Sequence, residues 1–213
     1  EMCIRDSLIC GFVVGRDPHD RERLHDELYD LMRVRGYHGG FYLDALAAID
    51  IALWDIAGKL AQKPISALLS EQPCKSIPAY VSGLPAATLP QRCQIASDWW
   101  DRGFTNFKFA SPVADDGVAT EYRELRRTLP QDAKIACDLH WALNPSAAIQ
   151  LADELTPYRP WFLEAPVAPE DIDGLSQVAQ ASSHPIAAGE EWRTLFDARH
   201  RIDRQACQIV QPE

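Results

Sequence analysis

Three carboxylates lie at equal intervals in the sequence, each directly after a short apolar run. Asp138 ends Lys-Ile-Ala-Cys-Asp, Glu164 ends Trp-Phe-Leu-Glu, and Glu190 ends Pro-Ile-Ala-Ala-Gly-Glu. The interval is 26 residues in both cases. Three such oxygen ligands, with room for water and substrate, suit a hard cation such as Mg²⁺. An acid after a strand is also a common helix N-cap, so each residue taken alone has an ordinary explanation.

The runs that precede these acids are short and β-prone, and amphipathic helical patterns at 146–158 and 172–181 separate them. This alternation predicts an α/β fold with parallel strands, whose carboxyl ends converge on one face where loops build the active site. The equal spacing, the shared position in the repeat and the lack of a nearby Lys or Arg favour one common site over three unrelated acids.

The same patterns predict three further strands and four further barrel or connecting helices. The strands are predicted at 77–82, 104–110 and 207–213, and the helices at 64–69, 89–102, 117–129 and 194–204. Six strands are therefore predicted, whereas a complete (β/α)₈ barrel needs ~250 residues. The chain has 213 residues, so we interpret it as a fragment with strands one to six.

Two helices are predicted before the first strand. Residues 20–34 carry an apolar stripe at i, i+4, i+7 and i+8, which is typical of an amphipathic helix. Residues 42–59 are apolar on most faces, so we expect that helix to be buried between other elements. Residues 1–7 show no periodicity, and we interpret them as an artefactual or disordered terminus.

Four segments together resemble the enolase superfamily, in its mandelate racemase-like branch. They occur in the order and approximate spacing of that branch, and the best-matching subgroup is the acid-sugar dehydratases of the galactonate and galactarate type. The segments are Phe107-Lys108-Phe109, Asp138-Leu139-His140, Leu163-Glu164-Ala165-Pro166 and Ala188-Gly189-Glu190. The resemblance implies an incomplete (β/α)₈ TIM-type barrel at 76–213, preceded at 8–75 by the helical part of an enolase-type capping domain.

The resemblance also implies roles for individual residues. Asp138, Glu164 and Glu190 correspond to the ligands of Mg²⁺. His140 corresponds to the acid that protonates a departing β-hydroxyl, although a single histidine is more often structural. Lys108 is expected to help bind the substrate carboxylate, the alternative being a lysine that extends from its strand towards water.

Two positions bear on the choice of reaction. Racemases of the branch carry a second lysine where this chain has Ala110, and Ala110 cannot take a proton. Glu213 corresponds to the acid that orients a histidine base on the seventh strand, where Asp is more common. The chain ends before that strand, so we expect the fragment itself to be inactive.

We therefore expect a Mg²⁺-dependent hydro-lyase that acts on an aldonate or aldarate by α-proton abstraction and β-elimination of water. The alternatives are a racemase or epimerase of the same branch, and a non-catalytic truncated barrel.

The formal net charge of −10 disfavours nucleic acid and anionic membranes as partners. Scattered cysteines without a C-x-x-C pair suggest a cytoplasmic protein, and we expect the full-length protein to form a homo-oligomer.

Overall fold

The computed structural model describes residues 5–36 and 39–212, in two units that comprise Glu1–Ile77 and Pro78–Glu213. The domain boundary that we proposed from sequence, between residues 75 and 76, lies two residues before the boundary between the units. Residues 5–9 form a π-helical turn, and Ile9 at its end is buried. The assignment of 1–7 to an artefactual terminus stays a proposal, and residues 1–4 lie outside the described part of the chain.

The first unit is helical. After the π-helical turn Arg5–Ile9 come α1 (Cys10–Val13), α2 (Arg21–Leu31), α3 (Gly40–Ala61) and α4 (Ile65–Leu69), with 3₁₀ turns at Pro18–Asp20 and Arg33–Arg35. α2 and α3 correspond to the two helices predicted at 20–34 and 42–59. They pack together through a small apolar core that contains Ile9, Leu28, Tyr42, Leu43, Ala45 and Leu46.

The prediction that α3 is buried on most faces is wrong for its outer side. Ile51 is 66% exposed, and Ile56 and Leu60 are exposed as well. Tyr42, Leu46 and related residues on the inner side supply the buried contacts. Apolar composition alone could not tell which faces of this helix have a neighbour.

The second unit alternates strands and helices. The strands are β1 (Val81–Ser82), β2 (Asn106–Ala110), β3 (Lys134–Asp138), β4 (Leu163–Glu164), β5 (Ile186–Ala188) and β6 (Ile209–Val210). The helices are α5 (Leu89–Asp101), α6 (Val118–Thr128), α7 (Pro145–Leu155), α8 (Ile172–Ala181) and α9 (Leu195–Asp203). 3₁₀ turns occur at Ser111–Val113 and Thr156–Tyr158.

All six strands form one parallel sheet in the order of the sequence, β1 to β6. This confirms the predicted fold class, an α/β structure with six strands of an incomplete (β/α)₈ barrel. Side chains alternate between the two faces of each strand. Phe107 and Phe109 on β2 pack in the large core shared with the helices, where Phe109 meets Tyr122 of α6 at a ring distance of 5.1 Å.

The opposite face of the sheet has its own smaller cluster. Its buried members are Ala136, Phe162 and Ala187, with Trp161 and Ile209 packed against them. Tyr80 adds an edge-on contact to Trp161 at 6.0 Å. Lys108 is registered with Ala136, and Asp138 lies two residues after Ala136 on the same strand. Both therefore share this inner face with Ala136.

No helix in residues 5–36 and 39–212 is long and apolar enough to cross a bilayer.

A buried ion pair joins α5 to α6. Arg92 and Glu121 are each 2% exposed, and the guanidinium donates to both carboxylate oxygens at 2.7 and 2.8 Å. Arg92 also donates to the carbonyl of Ala86 at 2.9 Å, in the loop between β1 and α5. The hydrogen bonds to Glu121 raise the pKa of Arg92 above its ordinary value, against the opposing effect of burial.

We predict that Arg92→Met destabilises the chain by about 3–5 kcal/mol, because it leaves a buried carboxylate without its partner. The double variant Arg92→Met/Glu121→Leu should regain most of that loss, since no uncompensated charge remains. Urea denaturation of the two variants and the wild type measures both changes in the free energy of unfolding. Equal losses in the single and double variants would contradict this account of the pair.

Candidate functional site

Lys108 of β2 comes together with Asp138 and Glu164, which end β3 and β4. Asp138 is registered with Glu164 on the next strand, so their side chains leave the sheet side by side on the same face. Both are buried, at 7% and 3% exposure. Two buried acids at one place require positive charge or hydrogen-bond donors nearby, because an isolated buried carboxylate is costly.

Lys108 supplies the positive charge. Its Nζ lies 2.7 and 2.6 Å from the two Glu164 carboxylate oxygens. To reach them it crosses β3, where Ala136 is its registered neighbour and offers only a methyl group in its path. Burial lowers the pKa of Lys108, but the hydrogen bond and the attraction to Glu164 outweigh that effect and raise the pKa above its ordinary value.

This ion pair changes one part of the sequence argument. Glu164 has no Lys or Arg close by in sequence, but its partner comes from 56 residues earlier in the chain. Phe107 and Phe109 face the helices and Lys108 faces the acids, as alternation along a strand requires.

Gln211 is a member of the site that sequence reasoning missed. It follows β6, and its amide Nε2 donates to Glu164 Oε2 at 3.1 Å. Its backbone N–H also donates to the carbonyl of Ala188 at 3.0 Å, which fixes it beside the end of β5. Glutamine after a strand carries no pattern that marks function, so only the register of β6 reveals this contact.

His140 contacts Asp138 twice. Its backbone N–H donates to Asp138 Oδ1 at 2.9 Å, and its ring Nε2 lies 3.2 Å from Oδ2. The side chain of His140 is 41% exposed, so the ring remains open to solvent on one side. β3 ends at Asp138, so the alternation of side chains along a strand does not place His140 beside it. A left-handed turn, with φ of +48° at His140 and +54° at Trp141, brings the ring back instead.

Left-handed backbone recurs along this edge of the sheet. Besides His140 and Trp141, Ala165 after β4 has φ +47°. The backbone N–H of Trp141 donates to the carbonyl of Ala165 at 2.7 Å, so the two turns hold each other in place. Such conformations of residues other than glycine cost of order 1–3 kcal/mol each, and they cluster at functional sites.

The other two predicted site residues are placed less fully. β5 ends at Ala188, and Glu190 lies two residues further on in a turn, half-buried, rather than at the strand tip. Glu213 lies outside the described residues. Among residues 5–36 and 39–212, no group of three or more His, Cys, Asp or Glu side chains is arranged so that it could hold a metal ion. Ligation by Asp138, Glu164 and Glu190 together therefore stays a proposal.

The donors at Asp138 and Glu164 nevertheless suit a hard divalent cation. Their carboxylates are neighbours by register and offer only oxygen. The two Glu164 oxygens already hold one cationic group between them, the ammonium of Lys108. Asp138 and Glu164, two of the three proposed ligands, therefore have the chemistry that Mg²⁺ requires.

The fold and this edge define a class of protein: a parallel α/β barrel that gathers acidic residues where neighbouring strands end. Two family models match the chain, "Enolase C-terminal domain-like" over residues 91–213 and "Mandelate racemase / muconate lactonizing enzyme, N-terminal domain" over residues 2–70. The chain belongs to the enolase superfamily, in the mandelate racemase/muconate lactonizing enzyme branch.

Two curated relatives cover nearly all of the chain. D-galactarolactone cycloisomerase of Agrobacterium fabrum (strain C58) is 30% identical over 207 residues, which are 95% of this chain and 54% of the relative. D-galactonate dehydratase of Xanthomonas euvesicatoria pv. vesicatoria is 32% identical over 218 residues, with coverage of 96% and 55%. The chain spans about half the length of the curated relatives it matches.

Solved structures agree with this assignment. A Sinorhizobium meliloti protein, provisionally described as an isomerase, is 56% identical with a TM-score of 0.96, covering 99% of this chain and 55% of its own. An enolase-type protein from Bradyrhizobium, in complex with magnesium and mandelic acid, is 26% identical with a TM-score of 0.86, with coverage of 98% and 57%.

Gly189 keeps Gln211 close to the acids. It has φ +148°, and a Cβ built there would lie 2.7 Å from both the carbonyl carbon and oxygen of Gln211. We predict that Gly189→Ala destabilises the chain by about 1–3 kcal/mol more than Gly117→Ala, because it must push the β6 end away. Gly117 has φ +90°, and no atom lies within 4 Å of such a Cβ. Alanine at position 117 would therefore suffer backbone strain but no steric clash.

Urea denaturation of the two glycine variants measures this difference. Equal losses of stability would show that close approach to Gln211 does not constrain position 189.

Proposed function

We propose that the protein that contains this chain is a Mg²⁺-dependent acid-sugar dehydratase. The substrate is an aldonate or aldarate, from which an α-proton and a β-hydroxyl leave as water to give a 2-keto-3-deoxy acid. The observation that carries the proposal is the pairing of His140 with Asp138, 3.2 Å apart, beside the Lys108–Glu164 pair at the same sheet edge. The similarity to D-galactonate dehydratase supports it.

In this proposal Asp138, Glu164 and Glu190 hold the cation, which supplies positive charge to the substrate carboxylate and so makes the neighbouring C–H more acidic. The two described carboxylates at register positions supply part of that ligand set. The Bradyrhizobium structure with bound magnesium supports the choice of metal.

His140 is the proposed general acid. Its ring is partly exposed, so a substrate hydroxyl can reach it, and the Asp138 carboxylate 3.2 Å from Nε2 favours the protonated ring by charge. On elimination the C–O bond breaks, and the departing hydroxyl takes a proton from the imidazolium to leave as water. The electron pair of the broken C–H bond forms the new double bond, and the resulting enol becomes the keto acid.

Lys108 is the proposed binding group for the substrate carboxylate. Its ammonium faces the acids at the catalytic edge and stays protonated, since the pKa of Lys108 is raised by Glu164 despite burial. The proposed base is a histidine on a later strand, oriented by Glu213, which lies outside the described residues. Ala110 is registered with Asp138 and cannot act as a base.

A cycloisomerase is the second candidate. The observations that favour it are the similarity to D-galactarolactone cycloisomerase and to the Sinorhizobium meliloti protein provisionally described as an isomerase. Mass spectrometry of the product separates the two candidates, because dehydration lowers the mass by one water and isomerisation leaves it unchanged. A racemase is disfavoured by Ala110, and a non-catalytic barrel would show neither reaction.

We predict that Glu164→Gln and Asp138→Asn weaken Mg²⁺ binding by more than the roughly 10–100-fold that loss of an outer-shell partner costs. Each change removes a negative oxygen ligand and keeps the size of the side chain. Isothermal titration calorimetry with Mg²⁺ measures the affinities. Glu170→Gln, on the exposed loop after β4, is the matched control and should bind as the wild type does.

Unchanged Mg²⁺ affinity in both ligand variants would remove Asp138 and Glu164 from the metal site.

We predict that His140→Asn abolishes dehydration in the full-length protein and leaves exchange of the substrate α-proton intact. The reason is that proton removal and hydroxyl departure use different groups in the proposal. NMR in D₂O measures exchange, and formation of the 2-keto-3-deoxy acid measures dehydration. Dehydration at the wild-type rate would show that His140 is not the acid.

A further inference from the structure

Arg201 on α9 joins the two loops that follow β4 and β5. Its side chain is 11% exposed. Nη2 donates to the carbonyl of Pro169 at 2.9 Å, in the loop that follows Glu164. Nη1 donates to the carbonyl of Asp197 at 3.2 Å on its own helix, and the Asp197 carboxylate lies 3.9 Å away. The guanidinium is therefore anchored on α9 and reaches the loop after β4.

The other side of the same guanidinium meets the turn that follows β5. Nε lies 3.8 Å from Glu191 Oε1, and the charge lies 5.5 Å from the ring centre of Trp192. Trp192 is buried, and its indole N–H donates to Glu191 Oε1 at 2.7 Å. The Glu191 side chain is 15% exposed and belongs to this contact.

Both loops adjoin residues of the proposed metal site, since one follows Glu164 and the other contains Glu190. Glu190 directly precedes Glu191, and the backbone N–H of Trp192 donates to the carbonyl of Gly189 at 2.8 Å, which closes the turn around Glu190. The loop after Glu164 is in turn paired with the loop after Asp138 through the bridge between Leu143 and Val167. Contacts thus run from the Asp138 loop to the Glu164 loop and, through Arg201, to the Glu190 turn.

We propose that Arg201 is a positioning residue that sets the distance between Glu190 and the other two carboxylates. The inference rests on the proposed metal site. Arg201 touches none of the three carboxylates itself. It acts through Glu191 and Trp192 on one loop and through Pro169 on the other. Lysine at this position has a single ammonium and no planar fork, so it cannot donate to Pro169 and also lie against Glu191 and Trp192.

A comparable arginine at the opposite end of the barrel provides a control. It distinguishes an effect on the position of the loops from a general loss of stability. Arg126 on α6 donates to three carbonyls, those of Ala133 at 2.5 Å, Tyr158 at 2.7 Å and Arg159 at 2.9 Å. These carbonyls precede β3 and β4, at the amino ends of the strands. Loss of Arg126 therefore removes a similar set of hydrogen bonds without touching the loops that bear the carboxylates.

The test compares Arg201→Met, Arg201→Lys and Arg126→Met in the full chain. Calorimetric titration with Mn²⁺ and Mg²⁺ gives metal affinities, and amide hydrogen exchange at Trp192 reports on the Glu190 turn. Arg201→Met should weaken metal affinity by about 10-fold, the lower end of the loss that removal of an outer-shell partner causes, because Arg201 acts on the ligands only through neighbouring residues, and it should accelerate exchange at Trp192. Arg126→Met should lose stability but keep both readouts at wild-type values. Arg201→Lys should fall between wild type and Arg201→Met.

The inference would be overturned if Arg201→Met and Arg126→Met showed the same metal affinity and the same amide exchange at Trp192. If Arg201→Met does not fold, Arg201→Lys decides: wild-type affinity and exchange overturn the inference, and a partial loss of both supports it. The Glu164→Gln variant keeps the two proposals apart. A wild-type chain that binds no divalent cation overturns the metal site and the inference with it. If Glu164→Gln weakens metal binding and Arg201→Met does not, the inference on Arg201 is overturned and the proposed metal site stands.

Discussion

The register between β3 and β4 is the constraint on which the pair of carboxylates at the strand ends depends. Asp138 and Glu164 are paired residues, so both face inward, away from the helix layer. Side chains alternate with a period of two along a strand, so a slip by one residue would turn one acid towards the helices. There the carboxylate would meet the apolar core around Leu163 and Val178, which has no charge to offer it. The packing of that core therefore also fixes where the acids lie.

Charge balance is the second condition that this arrangement must meet. Glu164 is neutralised by the Lys108 ammonium and accepts a further hydrogen bond from Gln211, while Asp138 accepts from the backbone N–H of His140 and lies close to its ring. Each donor comes from a different element, β2, the segment after β6, or the turn after β3. The small side chain of Ala136 on β3 is what leaves Lys108 a path to its partner.

Much of the fold could be predicted from the sequence because hydrophobic periodicity and breaker residues are local. β3 and the helix Ile172–Ala181 have the predicted bounds. The predicted strands at 77–82 and 207–213 are reduced to Val81–Ser82 and Ile209–Val210, because a ladder extends only where a paired neighbour is in register. Apolar residues outside that pairing, such as Ile77, remain exposed.

The site could be predicted only in part. Carboxylates after apolar runs identify Asp138 and Glu164, because strand ends can be read from the sequence. The partners of these acids cannot be found in this way. Lys108 lies 56 residues from Glu164, and Gln211 lies 47 residues from it, so only the tertiary pairing of strands shows these contacts. The positions of His140 and Glu190 depend on backbone turns with positive φ, at His140 itself and at Gly189. The pattern of apolar residues in the sequence does not predict such turns.

The sheet order has a consequence for how the chain reaches its structure. Each strand pairs with the strand that precedes it in sequence, so no pairing among the described strands waits for a distant segment. Paired residues are between 22 residues apart, as in Ala187 and Ile209, and 28 residues apart, as in Asn106 and Lys134. The entropic cost of closing a loop grows only logarithmically with its length, so all of these closures cost nearly the same. Each pairing therefore needs no more than 28 further residues of chain after the residue it joins.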